Sequence, residues 1–281
     1  MKDTYFAGKT AVVTGAGGTL CSVIARDLAD KGARVVLVGR TMEKLEAAAE
    51  KIRADGGLCR CMTADVTDEA AMEEIGRKVQ EEWGPCRFLV NGAGGNNNRA
   101  ITAKTVCDAA DLDNPDAGTD LFRLDMEVFD SVVRINTTGT VIPVRVFGKQ
   151  MVRAGEGGIL NFASMNSYRP LTRVPAYALS KAAVVNLTQW LAVYFANTGI
   201  RVNAVAPGFF INDRSVKILG TPETGLTARG EQVISHTPMG RFGQAADLLG
   251  AVEYLLDDRK AAYVTGITLP VDGGFLSHAG V

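Results

Sequence analysis

Short runs of β-branched and aliphatic residues return along the chain at 10–14 (TAVVT), 33–38 (ARVVLV), 58–62 (LCRCM), 87–91 (RFLVN), 158–163 (GILNFA), 200–206 (IRVNAVA) and 266–271 (GITLPV). Amphipathic stretches fill the gaps between the first of them, at about 19–31, 41–55 and 68–82. In the second of these, Leu45, Ala48, Ala49 and Ile52 recur at helical spacing, and Asp68 stands where a helix N-cap belongs in the third. The alternation predicts an α/β fold: a parallel, doubly wound sheet of about seven strands, with right-handed crossovers placing helices on both faces.

Two segments break the rhythm, 92–125 and 207–244, each rich in Gly, Pro, Asn, Asp and Thr. Both follow the C-terminal ends of strands, the edge at which open α/β sheets bind ligands, so they are expected to be substrate loops. With 281 residues, 47% of them hydrophobic, the chain can bury one large core, and a single domain over 1–281 is expected. Thirty basic residues against thirty-one acidic ones leave no global field to recruit nucleic acid or an anionic membrane. The partner expected is a small molecule.

Cysteines are five, an odd number without a CxxC pair, which points to reduced thiols. Cys59 and Cys61 alternate along a strand with too few histidines for a zinc set, so packing is expected and no metal. MKDTYFAGKT lacks the apolar run of a signal peptide and no later stretch is long enough for a membrane span, which makes the cytoplasm the expected compartment.

The first strand runs straight into Gly15-Ala16-Gly17-Gly18-Thr19-Leu20-Cys21-Ser22 and then a helical pattern. Glycines allow a tight turn and a close approach of backbone N–H groups to a pyrophosphate, which the helix dipole also favours. Thr19 and Cys21 stand where a TGxxxGxG pattern has glycine, and an ordinary βα turn is the alternative. Arg40 ends the second strand, where an acid often receives the ribose 2′-OH of NAD; a guanidinium there suits the 2′-phosphate of NADP, or is simply solvated. Asp65 is placed to hold an adenine with the backbone of Val66, or to cap a turn.

Ser164 ends the fifth strand, with Tyr177 thirteen residues on and Lys181 four beyond, so that Tyr177 and Lys181 share a helix face. An ammonium about 4 Å from a phenol, at an effective dielectric near 20, favours phenolate by about 4 kcal/mol, roughly three pKa units. That would bring the tyrosine close to neutrality, where a general acid/base works best. Ser164 can hold a substrate oxygen, and Asn136 can hold a water linking Lys181 to solvent. A packed ring beside a solvated amine is the alternative for the pair alone.

These residues, with Asn91-Gly92-Ala93-Gly94 after the fourth strand and Pro207-Gly208 after the sixth, resemble the short-chain dehydrogenase/reductase family over nearly the whole chain. The resemblance implies a Rossmann-type fold and a tetrad of Asn136, Ser164, Tyr177 and Lys181. It implies NAD or NADP held by the glycine turn, Asp65, Val66, residues 91–94, Tyr177, Lys181, Pro207 and Gly208. It also implies a homotetramer, with the 125–152 and 175–197 helices and the C-terminal segment at interfaces.

TGAGGTLCS, NGAGGNNNRAIT, FASMNSYRPLTRVPAYALSKAA, VAPGFF and HTPMGRFG are similar to the bacterial D-mannonate oxidoreductases (fructuronate reductases) within that family. This implies hydride exchange between a nicotinamide and a sugar acid, generally with NADH, while Arg40 leaves NAD against NADP open. A sugar acid also needs cations and amides for its carboxylate and hydroxyls. Asn96, Asn97, Asn98, Arg99, Met165, Asn166, Arg169, Arg173 and His236 are the residues expected to supply that mouth, Asn166 and Arg99 first. Another polyol, a gluconate-like acid or a 3-oxoacyl substrate is the alternative, and a non-catalytic NAD(P)-sensing protein a further one.

Overall fold

Every one of the seven runs forms a strand in the computed structural model, which describes residues 4–221 and 224–279. The expectation of one domain reaches 1–3, 222–223 and 280–281 as well, and there it lies outside the described residues. The strands are β1 (Thr10–Thr14), β2 (Arg34–Gly39), β3 (Leu58–Thr63), β4 (Cys86–Asn91), β5 (Gly157–Phe162), β6 (Ile200–Pro207) and β7 (Thr268–Val271). They make one parallel sheet in the order β3-β2-β1-β4-β5-β6-β7. Chain direction across the sheet reverses between β1 and β4, and in such folds the ligand crevice opens at the carboxyl ends beside that point.

The inner strands β1, β4, β5 and β6 are buried at every position, which is why they read as unbroken apolar runs. Edge strand β3 is half exposed, and its Cys59 and Cys61 are partly buried thiols packed at the rim of the core. On one face lie α1 (Thr19–Asp30), α2 (Met42–Ala54) and α9 (Leu249–Leu256), burying Ile24, Leu28, Leu45, Ile52, Val252 and Leu256. On the other lie α3 (Glu69–Trp83), α5 (Thr138–Ala154) and α6 (Pro175–Tyr194), burying Met72, Val79, Phe147, Met151 and Leu191. Each such side chain contributes about 1.5–3 kcal/mol by leaving water.

Asp68 caps α3 as expected, accepting from the Ala71 N–H at 3.1 Å. The helix expected over 125–152 is two helices instead. Here α4 (Met126–Asn136) ends and α5 begins across Thr137, whose hydroxyl turns back to the Val133 carbonyl at 2.8 Å, and Thr140 likewise caps the Asn136 carbonyl at 2.8 Å. The break places Asn136 at a helix end, facing the sheet edge.

Of the two segments expected as substrate loops, 92–125 contains only short 3₁₀ turns, capped by Asn97, Asp108, Asn114 and Asp120. The second is corrected. Residues 207–244 contain α7 (Asp213–Leu219), a short antiparallel pair (Gly220–Thr221 with Gly225–Leu226) and α8 (Ala228–Ser235). The Thr that made this stretch read as loop is partly a capping residue: Thr227 accepts from the Gly230 N–H at 3.1 Å.

Candidate active site

Gly15 sits at φ +68°, and a Cβ on it would lie 2.8 Å from the Gly92 carbonyl oxygen and the Ala93 nitrogen. The turn after β1 and the turn after β4 therefore touch backbone to backbone, which only glycine permits. Thr14 locks the same contact: its hydroxyl accepts from the N–H groups of Gly92 and Ala93, both at 3.2 Å. The first helical residue is Thr19, with Gly18 as an N-cap lacking any side-chain bond and no acid in the first turn. The amide groups of α1 and its positive end are thus left for an anion, and the turn fits a dinucleotide pyrophosphate.

Cys21 explains its own departure from the glycine pattern. A Cβ at Gly92 would fall 2.1 Å from the Cys21 sulfur, so the thiol fills the space that a side chain at 92 would need. Burial pushes that thiol up to about 12, where it packs as a neutral group.

Beside this turn a cavity of about 290 Å³ is walled by Leu20, Gly92, Gly94, Ser164, Tyr177, Lys181, Pro207, Gly208 and Phe209. Ser164, just past β5, accepts from the Asn166 N–H at 3.2 Å and hydrogen-bonds Tyr177. Ser167 braces the same turn by donating to the Lys181 carbonyl at 2.6 Å. The Lys181 Nζ lies 5.7 Å from the centre of the Tyr177 ring and donates to the Phe162 carbonyl at 2.6 Å. Asn136 accepts from Gly95 N–H at 3.1 Å and donates to the Gly95 and Val132 carbonyls, both at 2.8 Å. Those bonds engage both amide hydrogens and clamp the 94–95 turn; a Cβ at Gly94 would sit 2.4 Å from Asn136 Oδ1 and 3.6 Å from Lys181 Nζ.

The electrostatics correct one expectation. Burial raises the Tyr177 phenol above its usual 10.0, opposed by the Ser164 hydrogen bond, and burial lowers the Lys181 ammonium to about 8. The pull of the ammonium that the spacing promised does not set the phenol: burial does, and Lys181 spends a donor on the Phe162 carbonyl.

The remaining cofactor residues divide. Val66 is buried beside Gly139, Arg40 is exposed at the end of β2, and Asp65 accepts from the Thr67 amide at 2.9 Å and hydroxyl at 2.8 Å. Those bonds hold the Asp65 carboxyl below its usual range, with Arg40 and Arg134 adding to the pull. Asn91 donates to Asn161 at 3.0 Å, and Asn161 to Thr188 of α6 at 3.0 Å, so its side chain braces the sheet and does not face the cavity.

None of the substrate residues expected first lines this cavity. Arg99 is ion-paired with Asp125, Arg169 donates to the His278 carbonyl at 2.7 Å, and Arg173 donates to the Thr102 carbonyl at 2.7 Å. Asn166 is buried, accepting from the Leu171 N–H at 2.8 Å. His236 is bonded through Nδ1 to the Gln232 carbonyl at 2.8 Å. Their polarity was legible, but loops carry polar side chains for their own turns as often as for ligands. Phe162, Ser167 and the locking hydroxyl of Thr14 were missed; a polar residue closing an apolar strand was the one signal Thr14 offered.

Residues 9–219 match the family of short chain dehydrogenases. The chain belongs to that family. It is accordingly an oxidoreductase of NAD or NADP. Among its relatives is the uncharacterised oxidoreductase UxuB of Bacillus subtilis, 42% identical over 98% of this chain and 97% of the relative. A crystal structure of a candidate D-mannonate oxidoreductase from Haemophilus influenza with bound NAD superposes with a TM-score of 0.92, at 38% identity, covering 98% of this chain and 97% of that one. The gluconate 5-dehydrogenase of Burkholderia cenocepacia, in complex with NADP and tartrate, gives 0.83 at 27% identity over 99% of each chain.

Proposed function

We propose that this dehydrogenase interconverts D-mannonate and D-fructuronate, with Tyr177 as general acid/base. The observation that carries the mechanism is the convergence of Ser164, Tyr177 and Lys181 on one cavity beside the glycine turn. Bound NAD(P) supplies or accepts the hydride. The Ser164 hydroxyl holds the substrate oxygen, and the Tyr177 phenol gives that oxygen its proton in reduction and takes it in oxidation. Lys181, charged at neutral pH, favours the phenolate and so draws the proton from the alcohol in the oxidative direction. Asn136 holds the 94–95 turn at the edge of the cavity through its two bonds to Gly95. The likeness to the Haemophilus structure supports the sugar acid and favours NAD; the exposed Arg40 keeps NADP in the reading.

Purified protein should reduce NAD or NADP in the presence of D-mannonate. Turnover of a panel of other carbonyl compounds and alcohols with none of D-mannonate or fructuronate would overturn the substrate. Likeness to a gluconate 5-dehydrogenase favours a gluconate-like acid as the second reading. Adding NAD, NADH, NADP and NADPH singly should raise Tm most for the cofactor in use, since a ligand of the native state alone stabilises in proportion to occupancy.

The proposal extends to a single catalytic domain, in the cytoplasm, acting as a homotetramer. Among the described residues no helix is long and apolar enough to cross a membrane, and all five cysteines are free thiols. For the oligomer the support is an apolar groove of about 580 Å³ between α5 and α6, lined by Val144, Val152, Leu187, Trp190 and Tyr194. Light scattering of the purified protein tests the assembly.

A further inference from the structure

Phe209 lines three cavities among the described residues, and two of them concern the substrate. The first holds Ser164, Tyr177 and Lys181; the second, of about 180 Å³, is walled by Thr172, Arg229, Gln232, His236 and Phe275. Phe275 packs edge-on against Phe209, ring centres 5.5 Å apart.

Arg99 is paired with Asp125, whereas Arg229 donates from Nη1 to the neutral Gln232 Oε1 at 2.8 Å and makes no ion pair with a described carboxylate. Among the described residues no carboxylate offsets its positive charge. With the Gln232 oxygen taken, the amide hydrogens of that residue remain as donors. His236 Nδ1 lies 2.8 Å from the Gln232 carbonyl, an acceptor only, so the neutral ring carries its proton on Nδ1 and offers Nε2 as an acceptor. Thr172 adds a hydroxyl of either sense. A fixed cation, amide donors, a hydroxyl and one neutral acceptor match a carboxylate flanked by hydroxyl groups, and charge-assisted bonds to the carboxylate are the strong ones.

We propose that this second cavity takes the carboxylate end of the substrate, with Arg229 as its counter-ion, while the reacting carbon lies at Tyr177 across Phe209. The proposal rests on the sugar-acid reading above and places the acid within it. The specificity of the enzyme for acids over neutral polyols then resides on α8.

The test compares D-mannonate with D-mannitol, its neutral six-carbon counterpart, in wild type, Arg229→Gln and Arg229→Lys. Where D-mannitol is not turned over, its inhibition constant replaces its kcat/KM. The acid-to-polyol ratio should fall at least about tenfold in Arg229→Gln, carried by KM for the acid and not by kcat, and recover in part in Arg229→Lys. A rise in Tm with NADH shows that each variant is folded. A ratio that stays constant, or a fall carried by kcat alone, overturns the carboxylate assignment and leaves the sugar-acid reading standing. A wild-type enzyme that turns over no polyhydroxy acid overturns that reading and the assignment with it.

Discussion

Lys181 shows how a single residue couples chemistry to stability. Burial brings its ammonium from the usual 10.5 to about 8, which costs the folded state roughly 3 kcal/mol at neutral pH. The sign follows from the protons bound. Below about pH 8 both states hold the proton and the full cost is present; between about 8 and 10.5 the unfolded state holds more protons, so stability rises with pH; above that the cost is gone. Lys181→Met removes the charge but leaves the Phe162 carbonyl without its donor, so a net gain of about 1–2 kcal/mol is expected at pH 7, from urea midpoints. The gain should shrink as pH rises through 8–10.5, while activity falls by at least about a hundredfold. For Tyr177, whose phenol burial raises, oxidation should accelerate with rising pH and reduction should slow. In Ser164→Ala the oxidation limb should move to higher pH, because the Ser164 hydrogen bond favours phenolate.

At the scale of elements, the contact between the β1–α1 turn and the β4 turn depends on complementary sizes at 21 and 92. Gly92→Ala drives a methyl into the Cys21 sulfur and should cost about 1–3 kcal/mol by overpacking. Cys21→Gly combined with Gly92→Ala should recover most of that loss, and strictly additive midpoints would contradict the contact. This pair also shows what the sequence could convey. The strands, the first three helices and the placing of Ser164, Tyr177 and Lys181 were readable, since each follows from periodicity and local order. The departure at Cys21 was visible but its reason was not, because Gly92 lies far along the chain and comes near only through the order β1-β4. The helices at 213–219 and 228–235 were hidden for a different reason: they are short, and their capping residues are the same types that make loops. Arg99 and Asn166 misled because Asp125 and the Leu171 amide, their partners, leave no mark at fixed spacing.

Across the whole molecule, the sheet end opposite the site is tied by charge. Arg87 of β4 and Arg201 of β6, both buried, share the Asp258 carboxylate, and the Tyr5 hydroxyl near the N-terminus joins the same group by accepting from Arg87 Nη2 and the Asp258 amide, both at 3.1 Å. Burial resists ionisation of Asp258, yet the two guanidinium groups hold its pKa below 3.8. The stability it contributes is present above pH 3.8 and lost as pH falls through the folded value. Asp258→Asn takes the carboxylate from buried Arg201 while Arg87 keeps Glu156 at 3.0 Å, and should cost about 1–2 kcal/mol at pH 7, discounted for the partial exposure of Asp258, with little change in KM. Holding that end rigid lets the opposite edge carry loops and strained turns. The claim that Tyr177 performs proton transfer at that edge is tested most directly by following nicotinamide absorbance with D-mannonate in wild type and Tyr177→Phe. The variant should bind NADH yet lose at least about a hundredfold in kcat; turnover equal to wild type would contradict the account.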